Sequence, residues 1–377
     1  MKTRLGRAAL AEALAWAARA LPHRPPVPAL AGIQLTASDG LLTVSAFDYE
    51  VSARFETNAD VMEPGTALVS GRLLSEIARA LPDMSVELTT DGPDLVLACG
   101  DSQFALPSIP LDDYPPVPDM PETRGTIDGA AFGEAVTQVT IAAGRDGTLP
   151  ALTGIRIEIS NRTLRLVATD RYRLAVRDIP WQPEDPDLDA VALVPARSLH
   201  EIAKSLAKDE QVTIALSTRE SAGGSGLIGF QAGSRRATTR LLDSEFVKYH
   251  AIFPTAYTGT AVIERLPLLE AVRRVALVTQ RHTPLRLSLS PGRIALDAGS
   301  RSEARGRETL RSDFEGDDIC IAVHAGYLIE GLSVINTRYL ELGYTTPTKP
   351  AVLTPRASGE PDQDPDYRYL FMPLRSA

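Results

Sequence analysis

The chain has 377 residues, of which 44% are hydrophobic and 23% are charged, and its net charge at pH 7 is −9. This composition is ordinary for a folded protein of two or three domains, and it excludes a disordered chain. Cys99 and Cys320 are far apart and no apolar run is long enough to span a bilayer, which argues against a disulfide framework, a zinc site and a transmembrane protein.

The N-terminal segment MKTRLGRAALAEALAWAARAL predicts the first helix. Its apolar residues Leu10, Leu14, Ala17 and Leu21 recur at helical spacing, and a second set at 132–143 repeats the pattern. Charged residues interrupt the first set, so the segment lacks the apolar core of a signal peptide. We therefore expect a cytoplasmic protein.

Alternating apolar and polar residues next predict β-hairpins. The runs IRIEIS, LRLVAT and LRLSLS, together with the turns SDG, SNR and SPG, are typical of antiparallel strands joined by tight turns. A second helix is predicted at about 72–81 and recurs at about 197–207 and 325–335, with further strands after it.

The same order of elements occurs three times. AGIQLTASDGLLTVSAFDYE aligns with TGIRIEISNRTLRLVATDRY, which places Asp48 over Asp170, and a fainter third copy runs from LPLLEAVRRVALVTQ to ICIAVHAGYLIEGLSVIN. Proline-rich joints at LDDYPPVPDMPE and YHAIFPTAY separate the copies. We therefore predict an α+β fold of three repeated domains, at 1–121, 122–254 and 255–377, each with two helices packed on antiparallel sheets.

The threefold repeat and the segments RPPVPALAGI, ATDRYRLAV, RLLDSEFVKY and YLFMPLR, in this order, closely resemble the bacterial sliding clamp, the beta subunit of DNA polymerase III, in an actinobacterial form. The resemblance covers the whole chain. It implies a homodimer, joined head to tail into a ring that encircles double-stranded DNA and tethers the polymerase III alpha subunit and other polymerases after a clamp loader has placed it. It also implies no cofactor, no metal and no catalytic activity.

The segment VATDRYRLAV contains an aspartate and two arginines around a tyrosine, as a catalytic cluster could. The chain has no HExxH, GxSxG or P-loop motif, so we expect Asp170 to pair with an arginine or to cap a turn. The resemblance implies instead that its neighbours line a pocket for partner peptides, where apolar walls accept the anchors and arginines orient them. The implied pocket residues are Leu152, Thr169, Arg171, Tyr172, Arg173, Leu174, Val247, Ile252, Leu370, Met372, Pro373, Leu374 and Arg375.

Two of these residues depart from the pattern of the family. Most members have a proline where this chain has Val247, and commonly a glycine where it has Arg171. Valine restores a backbone N–H and arginine adds a long charged side chain, so the shape and charge of the pocket should differ. Because cyclic-peptide antibiotics target this pocket in the family, one hypothesis is a second clamp copy that tolerates such an inhibitor. The alternative is neutral drift.

A net charge of −9 is unusual for a DNA-binding protein, but basic residues recur on the predicted helices whereas acids concentrate in loops. By resemblance, the DNA-facing residues are Arg24, Arg72, Arg145 and Arg197. The resemblance also implies a dimer seam in which Phe104 and Leu106 of one copy meet Ala276 and Leu277 of the other. A rival interpretation is an acidic repeat protein that binds only proteins and no longer encircles DNA.

Overall fold

Tight turns join the strands of the predicted hairpins. The SDG turn has φ angles of 51° at Asp39 and 77° at Gly40, and the SNR and SPG turns have φ angles of 50° at Asn161 and 74° at Gly292. Two-residue turns between antiparallel strands need such left-handed backbone. The computed structural model describes residues 1–217, 226–279, 283–299, 304–357 and 365–374.

Each copy contains two described α-helices, as predicted. These are α1 Arg7–Ala17, α2 Gly71–Ala80, α3 Gly129–Thr140, α4 Ala196–Leu206, α5 Arg265–Ala276 and α6 Ala325–Ser333. The first is shorter than its apolar pattern indicated, because a 3-10 turn follows Ala17 and Leu21 is extended, with ψ of 124°. Pro22 accounts for this end, since a proline disfavours helical backbone at the residue before it.

The contacts divide the chain into two compact units. Unit 1 comprises Met1–Asp128 and Asp209–Leu241, and unit 2 comprises Gly129–Lys208 and Leu242–Ala377. The strands of unit 1 are β1 Lys2–Gly6, β2 Gly32–Ser38, β3 Leu41–Phe47, β4 Val51–Asn58, β5 Asp60–Glu63, β6 Gly65–Ser70, β7 Ser85–Asp91, β8 Asp94–Cys99, β9 Ser102–Pro107, β10 Thr123–Ile127, β16 Val212–Ser217, β17 Leu227–Ala232 and β18 Arg235–Arg240. They form one sheet in the order β5-β1-β7-β8-β9 and another that contains β10-β16-β17-β18-β4-β3-β2-β6.

Two sheets of unit 2 are also described. Its strands are β11 Gly154–Ser160, β12 Thr163–Thr169, β13 Arg173–Pro180, β14 Gln182–Pro183, β15 Asp189–Pro195, β19 Gly259–Glu264, β20 Leu285–Ser290, β21 Arg293–Gly299, β22 Arg305–Arg311, β23 Asp313–Glu315, β24 Ile319–Val323, β25 Tyr339–Tyr344, β26 Ala351–Arg356 and β27 Tyr367–Phe371. The larger sheet has the order β15-β11-β12-β13-β27-β26-β25-β19-β23, and the smaller has the order β22-β21-β20-β24.

One pairing rule recurs in both units. In unit 1, β4 of the first copy pairs antiparallel with β18, the last strand of the second copy, with Phe55 opposite Arg235. In unit 2, β13 of the second copy pairs antiparallel with β27, the last strand of the third, with Arg173 opposite Phe371. The middle copy therefore contributes strands to both units, which the sequence pattern had not indicated.

Helices cover the apolar faces of these sheets. Helix α1 contacts β4, and α3 contacts β13. Leu10, Leu14 and Phe132, three residues of the predicted helical stripes, are fully buried. Within the described ranges, no helix is long and apolar enough to cross a membrane, and no three His, Cys, Asp or Glu side chains are grouped as metal ligands.

Candidate functional site

The DRYR segment forms the tight turn between β12 and β13 in unit 2. The Asp170 carboxylate accepts hydrogen bonds from the backbone N–H groups of Tyr172 at 3.0 Å and Arg173 at 3.1 Å. Thr169 Oγ1 donates to the carbonyl of Arg173 at 2.6 Å and accepts from the N–H of Arg171 at 3.2 Å. Asp170 therefore organises the turn, as an aspartate at the start of a turn commonly does.

The first copy contains the same turn. The Asp48 carboxylate accepts from the N–H groups of Glu50 at 3.0 Å and Val51 at 2.7 Å. The next residue is left-handed in both copies, with φ of 76° at Tyr49 and 79° at Arg171. A side chain larger than glycine costs about 1–2 kcal/mol in this conformation, so both turns carry strain.

Arg173 is the buried cation of the site. Its side chain is 5% exposed and pairs with Asp170 at 2.9 Å and with Glu330 of α6. The guanidinium also lies over the ring of Tyr327, 4.4 Å from its centroid. Burial lowers the pKa of Arg173, but Tyr369 and Glu330 raise this pKa by more, so the group stays charged. Two carboxylates and an aromatic face thus offset the cost of burying this charge.

A cavity of about 380 Å³ opens beside this cluster. The ring of the half-exposed Tyr172 stacks on Tyr327 at 6.5 Å between centroids and forms an aromatic wall. The residues that line the cavity are Ala143, Gly144, Arg145, Asp146, Leu149, Leu152, Asp170, Arg171, Tyr172, Arg173, Tyr327 and Glu330. Four of the residues implied by the family resemblance, Leu152, Arg171, Tyr172 and Arg173, are among them.

Leu174, Leu370 and Met372 belong to an apolar cluster of the same unit. They pack with a larger set of residues: Ala151, Val167, Val176, Leu193, Leu242, Phe246, Tyr249, Val352 and Phe253. This cluster is a hydrophobic core that packs against both β13, which follows the turn, and the C-terminal strand β27.

The C-terminal segment is tied to the turn by backbone hydrogen bonds. The N–H of Met372 donates to the carbonyl of Tyr172 at 2.8 Å, and the N–H of Leu374 donates to Ala322 at 2.7 Å. Pro373 and Leu374 are half-buried. Arg375 lies outside the described residues.

Val247 and Ile252 are placed differently from the other implied pocket residues. Each is 39% exposed, and neither is among the residues that line the cavity. Both flank Phe246 and Tyr249, which anchor their segment in the apolar cluster.

Sequence reasoning missed Tyr327 and Glu330, the contribution of α6 to the cavity. Both side chains lie on one face of the helix because they are three residues apart. The spacing of these two residues can be read from the segment AGYLIEGLS. Their contact with Arg173 cannot, because Arg173 and Glu330 are 157 positions apart in the sequence.

Comparisons with known proteins agree along the whole chain. Models of the DNA polymerase III beta subunit match it in three segments: the N-terminal domain at residues 1–118, the central domain at 126–248 and the C-terminal domain at 250–375. The chain belongs to the DNA polymerase III beta-subunit family. The resemblance inferred from the sequence motifs is therefore confirmed.

Individual relatives of this beta subunit include two from Streptomyces. A Streptomyces coelicolor protein named Beta sliding clamp is 52% identical over 100% of this chain and 99% of its own. A Streptomyces muensis protein named Beta sliding clamp homolog GriR is 38% identical over the same shares. The crystal structure of a Pseudomonas aeruginosa sliding clamp bound to griselimycin matches with a TM-score of 0.91 at 25% identity, and each chain is covered completely.

The residues expected to face DNA in this beta subunit are exposed. Arg24 and Arg197 are open to solvent, and Arg72 donates to the carbonyl of Pro22 at 3.2 Å. The side chain of Arg145 is 90% exposed and lies 3.9 Å from Glu330, so it also belongs to the cavity wall.

The implied seam residues divide into exposed and buried ones. Leu277 is 84% exposed and Phe104 is 40% exposed, whereas Ala276 is half-buried. Leu106 is only 2% exposed, so its side chain lies in the core of its own chain. The accessible apolar surface at these positions therefore comes mainly from Phe104 and Leu277.

Proposed function

We propose that two copies of this chain form a head-to-tail ring that encircles double-stranded DNA in the cytoplasm and tethers DNA polymerase III without catalysing a reaction. The observation that carries this proposal is the match of all three beta-subunit domains along one chain. A clamp loader would open the ring and close it around DNA. The ring needs no cofactor for this role, because it is retained on DNA by its topology.

The pairing rule within the chain supports ring closure. Strand β22 of the third copy corresponds to β4 and β13, each of which pairs with the last strand of another copy. Among the described strands, β22 has only β21 as a neighbour, and β9, the last strand of the first copy, has only β8. The same rule would pair β22 of one chain with β9 of the other, which would satisfy both free edges.

A topological experiment tests the ring. The protein would be loaded onto nicked circular DNA with its clamp loader and ATP, and bound molecules would be counted before and after the circle is linearised. We expect retention on circles and loss from linear ends. Equal retention on both, or none on either, would instead favour the protein-binding scaffold.

The exposed arginines provide a second test of DNA passage. The variant R24S/R197S should load less efficiently, because phosphate contacts through arginine weaken when the charge is removed. The matched control R162S/K349S removes the same charge at two other exposed positions. Equal loading of the two variants would contradict a DNA-facing role for Arg24 and Arg197.

We further propose that the cavity and the adjoining apolar cluster of unit 2 bind short segments of polymerases and of the clamp loader. The proposed pocket residues are those implied by the family resemblance, including Arg375 and the exposed Val247 and Ile252. Apolar anchors would pack near Leu152 and Met372, and Arg171 would face the peptide backbone or an acidic side chain. Titrating a labelled polymerase peptide should show weaker binding to the variant Y172S, because Tyr172 forms half of the aromatic wall.

Tolerance of a peptide antibiotic is a second candidate function of the same pocket. Arg171 occupies a left-handed backbone position that favours glycine, and strained positions cluster at functional sites. The solved clamp of Pseudomonas aeruginosa holds griselimycin. We expect the variant R171G/V247P to bind griselimycin at least about tenfold more tightly than the parent chain, a change of about 1.4 kcal/mol. Unchanged griselimycin affinity with unchanged polymerase-peptide affinity would leave neutral drift as the explanation.

A further inference from the structure

The smaller sheet of unit 2 has one strongly basic face. Its other face is apolar and packs on α5, with Leu287, Ile294 and Leu296 buried. The side chains that alternate with these point away from α5. They include five exposed arginines: Arg286, Arg293, Arg305, Arg307 and Arg311.

The strand register brings these arginines close together. Arg293 of β21 lies opposite Arg311 of β22, and Asp297 lies opposite both Arg286 and Arg307. Neighbouring strands are about 4.8 Å apart and alternate residues along a strand about 6.7 Å apart, so the five guanidinium groups cover one small area. The surface of an acidic chain thus carries a compact basic patch.

Three of the five arginines, Arg293, Arg307 and Arg311, carry the excess charge of this patch. Among the described residues of the four strands, Asp297 is the one acid on the basic face, and it pairs with Arg286 at 3.8 Å. Glu308 lies on the opposite face, where it pairs with Arg274 of α5 at 2.7 Å. Asp317 and Asp318 precede β24, at the edge of the sheet farthest from β22.

On the corresponding sheet faces of the other two copies, arginines are paired with carboxylates. In the first copy, Arg54 pairs with Glu56 at 2.9 Å. In the second, two arginines pair with neighbouring carboxylates at 2.6 Å: Arg156 with Glu158, and Arg165 with Asp178. The excess of arginine is therefore specific to the third copy and is not a property of the repeated fold.

The side chains on the basic face indicate which kind of ligand this face would bind. Besides arginine, the described strands place Ser288, Ser290, Thr309 and Cys320 on this face together with the buried Ala295, and they place no aromatic or other large apolar side chain there. A protein-docking surface usually has apolar or aromatic anchors, and single-stranded nucleic acid is usually held by base stacking on aromatic rings. Arginine guanidinium and hydroxyl groups are instead the donors that contact the phosphates of a duplex.

We propose that this face binds the phosphate backbone of a second segment of double-stranded DNA, on the side of the sheet opposite α5. This DNA is distinct from the segment that the ring would encircle, and binding it requires neither ring opening nor a clamp loader. The contact is sequence-independent, because phosphates carry no base information. A member of this family could thus hold two duplex segments near each other.

Covalently closed, relaxed circular DNA separates the two modes of binding, because a closed ring cannot thread onto DNA without an end. The whole protein would be mixed with labelled closed circles at 50 mM salt, without clamp loader or ATP, and binding would be followed as salt is raised. We expect reversible binding that is lost at high salt. The variant R307T/R311T should bind more weakly and reduce the slope of log affinity against log salt by about 2, about one for each lost phosphate contact.

The matched control is R162T/K349T, which removes the same charge at exposed positions away from this sheet. It should retain the binding and the salt slope of the parent chain. Equal weakening in both variants would overturn the proposal, since the effect would then follow net charge alone. Binding that survives high salt would overturn it too, because that result indicates encirclement. Binding of polyglutamate but not of DNA would overturn it in favour of an acidic protein partner.

Discussion

Replacing Arg173 by alanine should strongly destabilise unit 2. The substitution removes the partner of one Asp170 carboxylate oxygen, in a pair whose side chains are 5% and 15% exposed. A buried hydrogen bond to a charged group contributes about 1.5–3 kcal/mol, and a desolvated cation over an aromatic ring about 1–2 kcal/mol. The side chain of Glu330 is 38% exposed and can be rehydrated, so losing the ion pair between Arg173 and Glu330 adds less than about 1 kcal/mol. We expect a total cost of about 3 kcal/mol.

Differential scanning calorimetry of the parent and R173A chains would measure this cost. For a folded unit of about 200 residues, 3 kcal/mol corresponds to a fall of roughly 6–12 °C in Tm. R173K should fall between the two, since lysine keeps the charge but cannot fork between two carboxylates. As a control, R338A removes an exposed pair with Glu264 and should shift the Tm by less than about 2 °C. A similarly small shift in R173A would refute the reasoning that this cluster stabilises the unit.

Two further predictions concern packing and assembly. G331A should lower the stability by about 1–3 kcal/mol in thermal denaturation, because the added Cβ would clash with the ring of the buried Tyr369. As a control, a Cβ added in G147A meets no atom within 4 Å, so this variant should keep the stability of the parent chain. L277D, at the residue that follows α5, should dissociate the proposed dimer in analytical ultracentrifugation without lowering the Tm of the monomer, because this side chain is 84% exposed. L266D, at an exposed leucine near the start of α5, should leave the dimer intact.

Local features of the fold were readable from the sequence. The turns at Asp39 and Asn161 and the two helices of each copy follow from residue type and periodicity, which act over a few residues. The internal repeat predicted that Asp48 and Asp170 have the same role, and both carboxylates accept two backbone N–H groups. Because the same aspartate occurs in two copies of the repeat, its structural role could be inferred from two positions rather than from one motif.

Long-range features were not readable. The pairing of β4 with β18 and of β13 with β27 depends on register between segments nearly 200 residues apart, for which hydrophobic alternation gives no signal. For the same reason the approach of Glu330 to Arg173 was missed. The strain at Arg171 was also hidden, because the sequence shows an unusual residue there but not its φ of 79°.

The position of β27 has a consequence for the order in which the protein is made. This strand lies in the interior of the larger sheet of unit 2, between β13 and β26, although it is the last of the described strands. The central strand of that sheet is therefore synthesised after all the other strands of the sheet. Until then, the edge of β13 that pairs with β27 has no partner strand. Such late, non-local pairing is slow and exposes nascent chains to misassembly. Unit 1 needs nothing beyond Leu241 and can complete its sheets while the rest of the chain is still being translated.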